Sequence, residues 1–367
     1  MHYLDANATQ SLRPEARAAI LEALDATGNP SSVHQAGRAA RRILEDAREA
    51  IAARFGGRPE DLVFTSGGTE ADALAIHAMS PGRRLIISAI EHDAVRAAAA
   101  GAAIVPAGAD GIAGMDALEA LLSDGIPSLV CLMLANNETG VIQPVPRAAS
   151  LCRRHGAILH VDAVQGAGRM PVSLHALGAH SLAISSHKLG GSAGVGALLL
   201  APDAPFAAPL IAGGGQERGR RGGTPPNAMI AGFAAAAVAS AGDDLGRVAA
   251  LRDVAERSAV AAGAVVCGDP AHRLPNTTCL ALPGVRADAQ VIAFDLENIA
   301  VSAGAACSSG KVAVSHVLQA MGLGSLAGQA IRVSLPWNVS QEDVDAFAAA
   351  YPRIAARLRP PLVPRAA

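Results

Sequence analysis

Two hydrophobic periods alternate along this 367-residue chain. Over residues 38–53 apolar positions recur at helical spacing. Ile43, Leu44, Ala47 and Ile51 share one face, and Arg41, Arg42, Glu45 and Arg48 lie off it, which predicts an amphipathic helix. The apolar run Leu62–Thr65 predicts a short buried strand, followed by a turn at Gly67-Gly68-Thr69 and a helix from Glu70. Further runs at 85–88, 129–134, 158–161, 182–185 and 196–200 read as buried strands, with helical spacing between several of them, as around 147–155. Such alternation predicts an α/β domain with a largely parallel sheet. Polar or glycine-rich residues follow each strand, where open α/β sheets place their ligands.

Beyond about residue 240 the texture changes. A long helical stretch at 245–262 leads to short strands near 277–282, a helix at 287–297, a Gly/Ser-rich loop at 302–310 and a strand at 331–335. This predicts a second, smaller α+β domain. The chain shows no internal repeat and no low-complexity linker.

Composition narrows the picture. Hydrophobic residues make up 51% but aromatics only 2%, so the core rests on Ala, Val and Leu. Alanine tracts at 97–100 and 234–237 suit helices packed closely on a sheet. No apolar run reaches the roughly 20 residues of a membrane span. Met1-His2-Tyr3-Leu4-Asp5 has neither the basic nor the apolar segment of a signal peptide, so a cytoplasmic protein without membrane contact is expected. A formal charge of −2 without a basic block argues against nucleic acid as a ligand. The five cysteines lack CxxC spacing, and no metal site is expected. Most are expected to be reduced core thiols, Cys131 within its apolar run above all.

The chain has 28 arginines but only two lysines, Lys188 and Lys311. In Ser185-Ser186-His187-Lys188-Leu189-Gly190-Gly191 a lysine follows an apolar strand and precedes a glycine turn. A lysine there is ordinarily a surface residue. Where nearly every other basic position is arginine, the retained amine points to chemistry that a guanidinium cannot do, namely imine formation. His160-Val161-Asp162-Ala163-Val164-Gln165 ends another strand. Asp162 is either a loop cap or the carboxylate that a pyridoxal-phosphate (PLP) enzyme sets against its pyridine nitrogen. Thr65-Ser66-Gly67-Gly68-Thr69-Glu70 has the makings of a phosphate cradle at a helix start but lacks the nucleotide-binding glycine signatures. His92, after the 85–88 strand, is either structural or placed to stack on a cofactor ring. Cys307, within Ser302-Ala303-Gly304-Ala305-Ala306-Cys307-Ser308-Ser309-Gly310, has no large apolar neighbours. It is either a small residue in a tight turn or a reactive thiol on an exposed, mobile loop.

Together these segments resemble the cysteine desulfurases, class V PLP enzymes of fold type I. Ten strings match in order over almost the whole chain. Among them are Tyr3-Leu4-Asp5-Ala6-Asn7-Ala8-Thr9, Gly28-Asn29-Pro30-Ser31-Ser32-Val33-His34, Asn136-Asn137-Glu138-Thr139-Gly140, Gly213-Gly214-Gly215-Gln216-Glu217-Arg218 with Gly223-Thr224, and Ile331-Arg332-Val333-Ser334-Leu335. The resemblance implies a large PLP-binding domain (16–242) with a mainly parallel seven-stranded sheet. It also implies a smaller α+β domain (1–15 and 243–367) carrying the Cys307 loop.

It further implies that Lys188 holds the cofactor as a Schiff base and Asp162 faces the pyridine nitrogen. Gln165 and Asn137 lie on the phenolic-oxygen side, and His92 stacks on the ring and moves protons. Gly68, Thr69, Ser185 and His187 hold the phosphate, with Thr224 reaching across from a second subunit of a homodimer. Arg332 clamps the substrate carboxylate with help from Asn29. Cys307 takes sulfur from L-cysteine as a persulfide and alanine is released. The Ala305-Ala306-Cys307-Ser308-Ser309-Gly310 loop is similar to the nitrogen-fixation and iron–sulfur-cluster branch. The string departs from the family's pattern at Gln10-Ser11-Leu12 and at Trp337-Asn338, and the chain stops at Ala367, before the longer tail of housekeeping members. These departures bear on the sulfur-acceptor protein, not on the chemistry. Selenocysteine lyase, transaminase and epimerase reactions are the nearest alternatives, and a non-catalytic sulfur carrier the one from another class.

Overall fold

The computed structural model describes residues 1–304 and 314–359. After a two-residue strand, β1 (His2–Tyr3), the apolar runs form seven strands. These are β2 (Leu62–Thr65), β3 (Arg84–Ser88), β4 (Ala103–Val105), β5 (Ser128–Met133), β6 (Ile158–Asp162), β7 (Ser181–Ser185) and β8 (Gly196–Leu200). They make one sheet in the order β2-β8-β7-β6-β5-β3-β4. Only β8 runs antiparallel to its neighbours. Nearly every residue of β5 to β8 is buried, because helices cover both faces and leave no side of the sheet for alternating polar positions. The expected α/β class and mainly parallel seven-stranded sheet are both present.

The predicted helices at 38–53, 147–155, 245–262 and 287–297 appear as Gln35–Arg54, Val145–Arg154, Leu245–Ala261 and Ala287–Asp295. One boundary differs in a way that matters. The helix expected from Glu70 begins at Gly68 and runs to Met79. Glycine disfavours a helix because it loses more backbone entropy than other residues, and it is kept at this helix start because a Cβ there would meet Val164. The sequence pattern did not mark β4, nor the helices Pro14–Leu24, Met115–Leu122 and Gln341–Leu358.

The later strands are β9 (Val265–Val266), β10 (Thr277–Ala281), β11 (Ile299–Ala300), β12 (Ser302–Ala303) and β13 (Ala330–Ser334). Four of them form an antiparallel sheet in the order β12-β13-β10-β9. Leu245–Ala261, Ala287–Asp295 and Gln341–Leu358 supply its own hydrophobic cluster. The scarce aromatics concentrate there: Phe294 stacks on Phe347 with ring centroids 5.1 Å apart, and Tyr351 closes the group. β1 pairs in parallel with β11, and Asp5 bridges to Ser334, so the N-terminus is bound to this later sheet. From there residues 6–13 cross to the large sheet, where Gln10 donates to the His187 carbonyl and Arg13 to that of Gly190. Among the described residues no single helix is long and apolar enough to cross a membrane.

Candidate active site

The parallel strands β2, β3, β5, β6 and β7 all point their C-terminal ends the same way, and the segments that leave them enclose a cavity of about 330 Å³. The helix after β2 contributes Gly68, Thr69 and Asp72. His92 follows β3, Asn137 follows β5, Asp162 and Gln165 end β6, and Ser185, His187 and Lys188 end β7. Asn7 and Ala8 of the crossing N-terminal segment and Arg332 of β13 complete the wall.

At the β2 end, no side chain caps the helix Gly68–Met79, and its first two residues, Gly68 and Thr69, line the cavity. Gly68 is required here because a Cβ would stand 2.6 Å from Val164 Cγ2. Glu70 turns away from the cavity: it accepts from Ser66 N at 2.7 Å and pairs with Arg221 at 2.8 Å.

Lys188 ends a single 3₁₀ turn that follows β7, and Gly190 lets the chain turn back at φ +87° against Arg13. Its Nζ donates to the Ala8 carbonyl at 2.8 Å and to that of Asn7. Burial, reinforced by Arg169 and Arg332 and opposed by Asp5 and Asp162, pushes the Lys188 amine down to about 7. Such an amine is substantially unprotonated at neutral pH, the state a nucleophilic lysine requires. Beside it, burial, Lys188 and Arg169 push His187 down to about 4, leaving a neutral imidazole 3.2 Å from Thr9 Oγ1.

Asp162 is buried and accepts from Val164 N at 2.9 Å. Burial raises its carboxyl, while His92 and Lys188 work against that rise. Two further buried carboxyls share the neighbourhood. Asp72 pairs with His160 of β6, and Glu91 accepts from Met133 N at 3.0 Å and from Ser88 Oγ at 2.5 Å. Burial and the Asp162 charge raise the Asp72 and Glu91 carboxyls, so both favour their neutral forms, and a cationic ring atom placed against Asp162 would favour the charged form of that carboxyl. His92 caps the helix Asp93–Ala98, its Nδ1 accepting from Ala94 N at 3.1 Å, which fixes the ring's orientation at the cavity edge.

At the opposite end Arg332 is 2% exposed, donates to Asp5 Oδ1 at 2.6 Å and to the Asn137 carbonyl at 3.0 Å, and leaves Nε without a partner among the described residues. Ser302 lies opposite Arg332 and Ala303 opposite Ile331 in the β12–β13 register, so β12, the last described strand before Cys307, passes beside Arg332.

Of the residues anticipated from sequence, Lys188, His92, Asp162, Gln165, Asn137, Gly68, Thr69, Ser185, His187 and Arg332 all line the one cavity. Thr224 does not. It sits in a separate depression with Gly28 and Pro30, and exposed Asn29 holds its own turn by accepting from Ser31 N at 2.9 Å. Cys307 lies outside the described residues. Cys131, Cys152, Cys267 and Cys279 are buried free thiols, as expected of core cysteines. Sequence reasoning did not assign Asn7, Ala8, Asp72, Glu91 or Arg169 to the site. The string 3–9 was visible, but only the fold carries it across to Lys188.

This arrangement of fold and lysine pocket is that of a PLP-type transferase, and residues 2–347 match the family model Aminotransferase class-V. The chain belongs to that family. A relative called cysteine desulfurase, from Cereibacter sphaeroides, is 43% identical over 97% of this chain and 96% of its own. An IscS-like cysteine desulfurase from Mycobacterium tuberculosis is 38% identical over 98% of this chain and 97% of its own. Among solved structures, a NifS-like protein from Rickettsia africae superposes with a TM-score of 0.89 at 34% identity, covering 97% of this chain and 99% of its own.

Proposed function

We propose that this protein is a PLP-dependent cysteine desulfurase, with Lys188 as the cofactor-bearing amine and Cys307 as the sulfur acceptor. The observation that carries the reading is the convergence, in one cavity, of a depressed lysine amine, a buried aspartate, an uncapped helix N-terminus and a buried arginine. These residues fit PLP. The uncapped helix with Thr69, Ser185 and His187 would hold its phosphate, Asp162 its ring nitrogen, Gln165 and Asn137 its phenolic side, and His92 its ring face. When bound, the cofactor supplies an electron sink for the bonds of the substrate's α-carbon.

The remaining work falls to this chain's side chains. Arg332 presents two nitrogens in a fork that suits the carboxylate of L-cysteine, and Asp5 and Asn137 hold that fork in place. The Lys188 amine is placed to take and return protons close to the substrate carbon. The Cys307 thiolate attacks the substrate's sulfur as the carbon–sulfur bond breaks. The carbon gains a proton to become alanine, and the sulfur remains as a Cys307 persulfide. β12, which precedes Cys307 in the chain, pairs with β13 at Arg332, and this supports a thiol that reaches the substrate end of the cavity.

Thr224 and Asn29 do not line the chain's own cavity, which supports a homodimer in which Thr224 reaches the partner's phosphate site. We propose 16–242 as the large PLP-binding domain and 1–15 with 243–367 as the small one, a cytoplasmic location, and a sulfur-acceptor protein as the recipient of the persulfide, for iron–sulfur clusters or other sulfur-containing products. The test is sulfide and alanine release from L-cysteine with a thiol reductant. The native protein yields both. Cys307→Ala loses sulfide release but keeps the cofactor's colour, and Lys188→Ala loses the activity. A fully active Cys307→Ala would rule out the persulfide route.

A further inference from the structure

Arg169 does not line the cavity and follows β6 at a distance of seven residues from Asp162, yet its side chain is buried behind the site. Nη1 donates to the Gln165 carbonyl at 3.0 Å and to Gln165 Oε1, and Nη2 donates to the Ala6 carbonyl at 3.1 Å. Gln165, gripped at its oxygen, turns Nε2 to the Asn7 carbonyl at 3.0 Å. The same Asn7 carbonyl accepts from Lys188 Nζ. A continuous set of bonds therefore runs from Arg169 through Gln165 and Asn7 to Lys188.

Two consequences follow from the chemistry of the guanidinium. A carboxamide keeps its shape when its oxygen and nitrogen exchange places, so packing alone does not orient it. Arginine only donates, so a guanidinium at Oε1 admits one orientation and leaves a second Nε2 hydrogen for the cavity that Gln165 lines. Arg169 is also a fixed positive charge in a dry interior, where charge acts over longer distances than in water. Lys188 has positive Arg169 and Arg332 and neutral His187 around it, against the carboxylates Asp5 and Asp162.

We propose that Arg169 is a positioning residue for the lysine end of the site. It locks the Gln165 carboxamide in one orientation and keeps the Lys188 amine unprotonated and nucleophilic. The inference rests on the reading of Lys188 as the cofactor-bearing amine.

The two-lysine composition makes the test direct. In the full chain stripped of cofactor, trace acetylation by acetic anhydride across pH, read by mass spectrometry at Lys188, gives the protonation midpoint of that amine. Arg169→Gln keeps a hydrogen-bonding side chain but removes the charge, and is expected to raise the midpoint by about one pH unit. Arg169→Lys keeps the charge but loses the fork, and is expected to leave the midpoint near that of the native chain. In the loaded enzyme, both variants are expected to release PLP about tenfold faster, followed as loss of visible absorbance, because one charge-assisted bond to Gln165 is weakened. A midpoint that does not move in Arg169→Gln, or that moves equally in Arg169→Lys, overturns the electrostatic role. Native PLP retention in both variants overturns the orienting role. If the native chain takes up no PLP while the midpoint still moves, the proposed function fails and the electrostatic role stands.

Discussion

Asp72 Oδ1 and His160 Nε2 lie 3.0 Å apart, with both side chains shut off from solvent. Burial drives His160 down to about 3, so the imidazole is neutral, and its Nδ1 lies 2.8 Å from Ser181 Oγ. This chain of polar groups pins the helix Gly68–Met79 to β6 and β7 within the apolar interior. It thereby fixes the helix start relative to Asp162, two residues beyond His160. His160→Ala leaves Asp72 and Ser181 unpartnered beside a new cavity and is expected to cost about 3–5 kcal/mol. His160→Gln, which can still reach Asp72, is expected to recover a substantial part. Urea unfolding of the two variants against the native protein measures both.

Glu91 should make stability fall as pH rises. Burial, aided by Asp162 and opposed by the bonds from Ser88 and Met133, pushes its carboxyl up to about 8. Between about 4.5 and 8 the folded chain therefore holds a proton that the unfolded chain has released, and stability conferred at low pH is lost across that window. Oε2, which has no partner among the described residues, is the natural place for that proton. Glu91→Gln keeps a neutral side chain of the same shape and should flatten the slope, with a gain over the native protein of at most about 4 kcal/mol by pH 8. Denaturant midpoints measured from pH 5 to 8.5 would show it. Parallel curves for variant and native would mean that Glu91 is ionised in the folded state.

Asp5 reaches the substrate end only through Arg332. Removing its charge in Asp5→Asn should loosen the guanidinium and raise the KM for L-cysteine about tenfold, with a smaller change in kcat. Arg332→Ala should raise KM by about a hundredfold or more, since it removes the fork itself. Steady-state alanine release gives both values. A KM unchanged in Arg332→Ala would move the carboxylate site elsewhere.

Glu217 holds an unfavourable backbone in place. At φ +48° it is one of three non-glycine residues at positive φ among those described. Its carboxylate binds Arg48 through two bonds of 2.8 Å and accepts from Phe64 N of β2 at 2.8 Å. Glu217→Ala leaves the buried Arg48 with only half-exposed Glu45 and the Leu62 carbonyl as partners, and is expected to cost about 3 kcal/mol. Glu217→Gly loses the same bonds but relieves the left-handed strain, and should be about 1 kcal/mol less damaging than alanine. Thermal unfolding of the pair separates strain from pairing.

The strands of the large sheet were legible within a residue or so because a strand buried on both faces must be apolar throughout, and flanking polar turns mark its ends. β2 and β8 match at both ends. β4, three residues with an exposed Ile104 at the sheet edge, carries no such signal. Lys188, Asp162 and the Gly68-Thr69 cradle were legible because rare residue types stand directly after strands. Arg169 looked like any of the 28 arginines, and Asp72 like any helix carboxylate.

The order of residues dictates which side chains are available for chemistry. It held two amines in all, with one at a strand end, and it set the alternation that forces those ends to one edge of a parallel sheet. The charge states of these residues, and the company they keep, came from folding. It brought Asn7 and Ala8 across to accept from Lys188, set Arg169 behind Gln165, and placed Asp5 on Arg332 over a separation of 327 residues. It also set Thr224 and Asn29 apart from the cavity. The physical reason is that desolvation and Coulomb interactions depend on distance through space, and the linear pattern of apolar and polar residues encodes burial but not which buried charges meet.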